Sequence, residues 1–289
     1  MVPPMLNLDE FESAFRSASK KPFTYSPPNP KHVLVITDIG GAELEAYMAA
    51  VKELLAPMSA RCSDLRWTVK DSFDGVEGVL RLVEEAQPDL IVTYRNMKSD
   101  AWAYSYSLGV YLNALTRGTG HPVLITPSPR AFPSMKWKHS LTDQVMAIDD
   151  SLTGDDSLIN WAALMMREKG QLHLTHMENA DVYERYIDAI SKIPRMDTNT
   201  AKETLLAQLL KEPRDYIESV RRALEAAGAG YSVVAHVDSG HRVADYRTVI
   251  DAEAIDLVAF PTLEQDRIAL HGAAYSLAVE LVETPVLMV

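Results

Sequence analysis

The sequence predicts an α/β protein made of two tandem doubly wound parallel-sheet domains, the first one shortened. Three observations carry this reading. Continuous apolar runs alternate with stretches of helical period, the mark of parallel strands buried on both faces. The end of the chain also repeats its middle. Asp89-Leu90-Ile91-Val92, Gly109 and Pro122-Val123-Leu124-Ile125 recur as Asp256-Leu257-Val258, Gly272 and Pro285-Val286-Leu287-Met288, with the same Gly-to-Pro spacing in both copies. Such a repeat points to duplication of one domain type and to a two-fold pseudo-dimer inside one chain. Finally, the copies are unequal: the stretch from Asp149 to Asp256 is far longer than that from Asp38 to Asp89. The first copy therefore lacks one β–α unit and the second has all five strands.

Taken in order, residues 1–31 read as an N-terminal extension: one short helix from Asp9 to Ser19, then a Pro-rich linker, either a mobile tail or a strap over the first domain. The first domain, 32–127, opens with the apolar strand His32-Val33-Leu34-Val35-Ile36-Thr37 and the turn Asp38-Ile39-Gly40-Gly41. A helix from Glu43 to Ala56 follows, with Leu44, Tyr47, Met48, Val51 and Leu55 on one stripe and Pro57 closing it. Leu65 to Val69 is a strand, Val76 to Ala86 a helix, Leu90 to Thr93 a strand, Ala101 to Thr116 a helix and Val123 to Thr126 the last strand. Residues 128–142 are the linker.

The second domain, 143–289, repeats the scheme. Its strands are Gln144–Ile148, Gln171–His176, Tyr231–Val237, Leu257–Phe260 and Val286–Val289. Its helices are Ser157–Glu168, Val182–Ile193, a long one from Ala201 to Ala227 kinked or broken at Pro213, Tyr246–Ala252 and Ile268–Val282. The two closing strands are placed to pair with each other and cover two sheet edges.

Composition narrows the function. The chain has 289 residues, 47% of them hydrophobic, 24% charged, with a formal net charge of −12. That charge argues against non-specific binding to nucleic acid or to anionic membrane. The one cysteine, Cys62, excludes an intrachain disulfide and any cysteine-based zinc cluster. No apolar run reaches the ~20 residues of a membrane span, and no signal-peptide pattern opens the chain. The expected setting is the cytoplasm.

At this point the chain resembles the universal stress protein family, over residues 32–126 and 143–289. The resemblance rests on three places in each half. These are an apolar strand ending in Asp (Val35-Ile36-Thr37-Asp38 and Ala147-Ile148-Asp149-Asp150-Ser151), an Asp-Leu before an apolar strand, and a Gly-containing helix before Pro-Val-Leu. It implies a five-stranded parallel sheet in the order 3-2-1-4-5 with helices on both faces. Many members bind ATP, wrapping its phosphates with Gly-x2-Gly-x9-Gly-Ser/Thr after the fourth strand; a helix N-terminus and close backbone approach suit that loop to an anion.

Both halves depart from that motif. Tyr94-Arg95-Asn96-Met97-Lys98 offers no glycine before Gly109, and Val110 replaces the hydroxyl residue; Phe260-Pro261-Thr262-Leu263-Glu264 offers none before Gly272, and Ala273 replaces the hydroxyl. Glu264 and Asp266 would repel a phosphate. The resemblance thus implies an altered nucleotide site at Asp149, Asp150, Ser151 and Gly272, with Asp38 and Gly109 as counterparts in the first copy. ATP, ADP or AMP are the candidate ligands.

Other residues raise alternatives. Asp38 and Asp149 end first strands, where open α/β sheets bind ligands, or they cap the following helices. His173, His176, His236 and His241 with Asp238 could bind zinc, except that His173 and His176, three apart on a strand, face opposite sides. Arg95, Asn96 and Lys98 form either an anion-binding loop or a solvated connection. Trp102 and Tyr106 share a helix face, with Tyr104 and Tyr111 nearby, as core or interface. Cys62, beside Arg61, is the candidate reactive thiol. The leading expectation is a non-enzymatic stress-response or regulatory protein acting on a protein partner or small ligand, as an internal pseudo-dimer that can pair further as a homodimer. The alternatives are an ATP/AMP switch in the second domain and a nucleotide hydrolase or transferase.

Overall fold

The computed structural model describes residues 22–103, 107–132, 141–148, 156–192, 198–261 and 273–289. Its centre is one nine-stranded sheet in the order β2-β1-β3-β4-β9-β8-β5-β6-β7. The strands are β1 (His32–Ile36), β2 (Arg66–Lys70), β3 (Leu90–Tyr94), β4 (Val123–Thr126), β5 (Gln144–Ile148), β6 (Gln171–Asn179), β7 (Ser232–Gly240), β8 (Leu257–Phe260) and β9 (Val286–Met288). The second half reads 3-2-1-4-5 by itself, and the first half has the same order without its outermost strand. All pairings are parallel except one. β4 and β9 run antiparallel, Leu124 opposite Leu287, and this seam joins the halves. β1, β3 and β4 are buried along their whole length, which is why they read as unbroken apolar runs.

The helices are α1 (Gly41–Leu54), α2 (Ala56–Arg61), α3 (Gly75–Ala86), α4 (Val110–Gly118), α5 (Asp156–Met165), α6 (Ala180–Ser191), α7 (Thr198–Ala226), α8 (Arg242–Ala252) and α9 (Ala273–Glu280). They lie on both faces of the sheet. On β2, Thr68 shares a face with α3, where His32 reaches both Thr68 Oγ1 (2.9 Å) and the Ala86 carbonyl (3.0 Å). Lys52 of α1 lies over Trp67 on the other face. One continuous hydrophobic core runs from Val33 to Met288 across the seam.

Four expectations need correction. Pro57 does not end its helix. The break falls at Leu55, and Pro57 sits in the first turn of α2, where its missing N–H costs nothing. The helix from Ala101 to Thr116 does not form as one piece: Asp100–Ala103 make a single 3₁₀ turn, and α4 starts at Val110 after Gly109 turns the backbone to φ +87°. The shared face expected of Trp102 and Tyr106 cannot be placed on one helix here, since Tyr104 and Tyr106 and the side chain of Trp102 lie outside the described residues. Tyr111 instead meets Phe73 edge-on at 5.2 Å. Pro213 leaves α7 unbroken. The buried stripe Leu210, Tyr216, Ile217, Val220 and Leu224 outweighs the ~3 kcal/mol that an interior proline costs.

The fourth correction concerns the extension. Its described part, 22–31, is a strap, but over the second half. The Phe23 N–H donates to Ser219 Oγ (3.0 Å), the Thr24 N–H to Asp156 Oδ2 (3.2 Å) and the Ser26 N–H to Asn160 Oδ1 (2.8 Å). The ring of Phe23 is buried against Tyr216, whose hydroxyl donates to Asp156 Oδ1 at 2.7 Å. The strap leads straight into β1, so it ties α5 and α7 to the first half. Arg61 adds a second tie by donating to the carbonyls of Ala163 (3.3 Å) and Leu164 (2.9 Å) at the end of α5. The short helix expected over Asp9 to Ser19 lies outside the described residues.

Candidate functional site

The site expected in the first half lies past the carboxyl ends of β1, β3 and β4. Asp38 follows β1 with its side chain only 4% exposed. One carboxylate oxygen accepts from the Tyr94 hydroxyl; the other accepts from the Lys98 N–H (2.5 Å) and from Arg130 (2.6 Å). Tyr94 ends β3. Its oxygen also accepts from the Asp38 N–H (3.1 Å) and lies 2.9 Å from Thr37 Oγ1. Burial, then the bond to Asp38, pushes the Tyr94 phenol upward, so it stays a neutral donor. Beneath it Tyr47 stands edge-on at 5.4 Å and shares a 2.9 Å hydrogen bond with Thr126 of β4. Lys98 lays its ammonium over the Phe73 ring at 4.0 Å and donates to the Phe73 carbonyl.

This arrangement differs from the capping reading of Asp38. It is not a helix cap, because the N-cap of α1 is Gly40, with no side-chain cap. Its carboxylate already holds three donors of its own chain, one of them a guanidinium.

The loop meant to hold phosphates is filled as well. Asn96 is buried at positive φ (+59°). Its N–H donates to the Leu108 carbonyl (3.0 Å) and its side-chain amide reaches the carbonyls of Ala101 (3.3 Å) and Ser107 (3.4 Å). Asn96 presses so close to Gly109 that a Cβ there would lie 2.8 Å from its backbone nitrogen. Asn96 thus occupies the space beside Gly109.

Of the three cationic and amide residues of this loop, Arg95 and Asn96 are buried within the fold, whereas Lys98 is exposed. Arg95 is buried and points at the end of α9, where it donates to the carbonyls of Ala278, Val279 and Leu281, each at 2.7 Å. Burial lowers its pKa to about 10, and it remains charged at neutral pH. The partial negative charge of a helix C-terminus is its counterweight.

Asp149, Asp150, Ser151 and Gly272, together with Glu264 and Asp266, lie outside the described residues. The structure describes their frame: β5 ends at Ile148, β8 at Phe260, and α5 begins at Asp156.

The histidines divide as the strand geometry requires. His173 and His236 share a face, His173 Nδ1 lying 2.9 Å from His236 Nε2, with His173 Nε2 2.7 Å from Gln144 Oε1. His176 points to the other face, 3.5 Å from Glu178. The His241 N–H donates to Asp245 and Asp238 accepts from the Ser239 N–H, so the proposed zinc set is dispersed. Among the described residues no three His, Cys, Asp or Glu side chains are grouped for a metal. Cys62 is half-buried, and burial pushes its thiol upward, away from reactivity.

Burial first, and then the neighbouring His236 imidazole, push His173 down to about 4; Glu253 pulls weakly the other way. Its native pKa lies below the unfolded value, so between pH 6.5 and 4 the unfolded chain binds a proton that the native one refuses. Stability is full above pH 6.5 and falls by about 3 kcal/mol toward pH 4. Urea unfolding from pH 7.5 to 4.5 checks this. His173→Gln should flatten the profile, and an equally steep profile in that variant would exclude His173 as its source.

Tyr94, Arg130, Tyr47 and Thr126 are the residues that sequence reasoning did not single out. Tyr94 had a signal, a phenol closing a fully buried strand; Arg130, in the linker, had none.

No family model and no curated protein matches the chain. Among solved structures it is similar to a universal stress protein from Archaeoglobus fulgidus DSM 4304, at 13% identity and a TM-score of 0.49 over 89% of this chain and 95% of that one. It is also similar to a candidate universal stress protein from Pseudomonas aeruginosa UCBPP-PA14, at 12% identity and 0.48 over 90% and 93%. A functionally unknown protein from Pseudomonas aeruginosa PAO1 follows, at 12% identity and 0.45 over 90% and 92%. These scores lie below 0.5, and the fold rests on the sheet order and registers above. Among the described residues no helix is long and apolar enough to cross a membrane.

Proposed function

We propose that this chain is a non-enzymatic stress-response or regulatory protein of the universal stress protein type, cytoplasmic, built as an internal pseudo-dimer and acting through a protein partner or small ligand. One observation carries the reading: the first-half crevice is spent on internal contacts. Asp38 is held by Tyr94, the Lys98 N–H and Arg130, and Asn96 fills the loop below Gly109. Among the described residues these contacts engage the Asp38 carboxylate and fill the space beside Gly109 that a nucleotide would need. The pairing of β4 with β9 supports the pseudo-dimer.

Thermal unfolding with millimolar ATP, ADP or AMP tests it. A ligand that binds only the folded state at a hundred times its Kd adds about 2.7 kcal/mol and raises Tm. The expected result is an unchanged Tm, together with no magnesium-dependent release of phosphate. A shift abolished by Asp149→Ala would replace this reading with a switch in the second half. Phosphate release that depends on the chain would make it an enzyme.

A further inference from the structure

The two outer edges of the nine-stranded sheet are treated differently. In β7 the Ser232 N–H donates to the Gly170 carbonyl (3.1 Å), so in parallel register the backbone groups of Val233 and Val237 point away from β6. Two arginines of α7 close that side: Arg221 donates to the Val233 carbonyl and Arg214 to the Val237 carbonyl, each at 3.3 Å. Such side-chain cover blocks strand addition.

Among the described residues β2 has no such cover. The Arg66 N–H donates to the Lys31 carbonyl (2.8 Å) and the Lys70 carbonyl accepts from the Thr37 N–H (3.0 Å), so Trp67 and Val69 direct their N–H and C=O groups outward. Among the described residues nothing bonds to them. β2 occupies the position that β6 holds in the second half, and β6 pairs with β7 along nine residues. Alongside β2 lies a cleft of about 300 Å³ lined by Arg66, Thr68 and Lys70 and by Leu82, Glu85 and Ala86 of α3. Arg66 touches the His32 ring (3.0 Å), and among the described residues neither it nor Lys70 pairs with a carboxylate. With two cations against the single carboxylate of Glu85, this rim is net positive on a chain of net charge −12.

We propose that the outer edge of β2 takes an extended acidic segment of a partner protein as a tenth strand, in the place that β7 fills on β6. The proposal deepens the partner-binding reading above and rests on it. Main-chain bonds to Trp67 and Val69 hold the segment. Its alternate side chains enter the cleft beside Leu82 and Ala86, and acids four residues apart meet Arg66 and Lys70, which lie on one face of the strand. A second copy of this chain fits worse: an antiparallel pairing of two β2 strands about Thr68 sets Arg66 against Lys70.

The probe is a blocked ten-residue peptide of threonine and valine with two glutamates four residues apart, and its lysine-for-glutamate counterpart. Fluorescence anisotropy with the full chain should show saturable binding of the glutamate peptide, at least tenfold tighter than the lysine peptide. Amide exchange at Trp67 and Val69 should slow at least tenfold on binding. Val69→Pro removes an outward N–H and trims a half-buried side chain, so it should abolish binding with only a modest fall in Tm. Reversing charge with Arg66→Glu and Lys70→Glu together should invert the peptide preference. Absence of binding, unchanged exchange at both amides, or binding that survives Val69→Pro overturns the proposal. Dimerisation lost in Val69→Pro, without peptide uptake, also overturns it and assigns the edge to a second copy. The nucleotide assays above do not involve this edge, so either proposal can fail alone.

Discussion

Arg95→Met lowers the unfolding free energy by about 3 kcal/mol, seen as a lower urea midpoint with the slope retained. The side chain is buried, and its three bonds of 2.7 Å are the cap of α9. Methionine fills much the same volume without a donor, so the loss reports three buried carbonyls left without partners, partly offset because a guanidinium no longer has to be desolvated. Arg95→Lys recovers only part of the loss, since one ammonium cannot reproduce the planar fork that meets three carbonyls. Amides of β9 should exchange faster in both variants, because α9 leads into that strand. A wild-type midpoint in Arg95→Met would mean that the carbonyls find other donors and that Arg95 is not what fastens α9.

The second large effect is expected at Gly109. Its φ of +87° with ψ of 159° belongs to backbone space used almost only by glycine, where other residues cost about 1–3 kcal/mol. A Cβ there would also lie 2.8–2.9 Å from Asn96 N, Cα and Oδ1, two of them backbone atoms held in a positive-φ turn. Strain and clash together make Gly109→Ala cost about 3–5 kcal/mol. Gly120→Ala is the control: it has open space around its Cβ position, and it should stay within about 0.5 kcal/mol of wild type. Equal midpoints for the two variants would refute the tight junction of Asn96 with Gly109.

What was legible in the sequence was whatever local pattern encodes. Strands such as Leu90–Tyr94 and Leu257–Phe260 are buried on both faces, so they announce themselves as apolar runs. The unequal spacing of the two copies told which half is short of a strand. Contacts between distant positions left no such trace. Arg95 looked like a loop cation because nothing in Tyr94-Arg95-Asn96 says that a helix end 183 residues on will accept its protons. The Phe23 strap misled for the same reason, its partner Ser219 lying 196 positions away. The helix expected from Ala101 to Thr116 failed locally instead: the periodic apolar pattern ran through Gly109, whose backbone takes a turn that no helix permits.

The antiparallel seam has a consequence for synthesis. β4 is buried on both faces, yet its partner β9 is made only some 160 residues later. At roughly 5–20 residues per second, the ribosome leaves the apolar edge of β4 unpaired for about ten to thirty seconds. Over that interval Arg95 also lacks its helix end. The first half therefore emerges as an unfinished sheet with a sticky margin until β9 slides between β4 and β8 in the middle of the sheet.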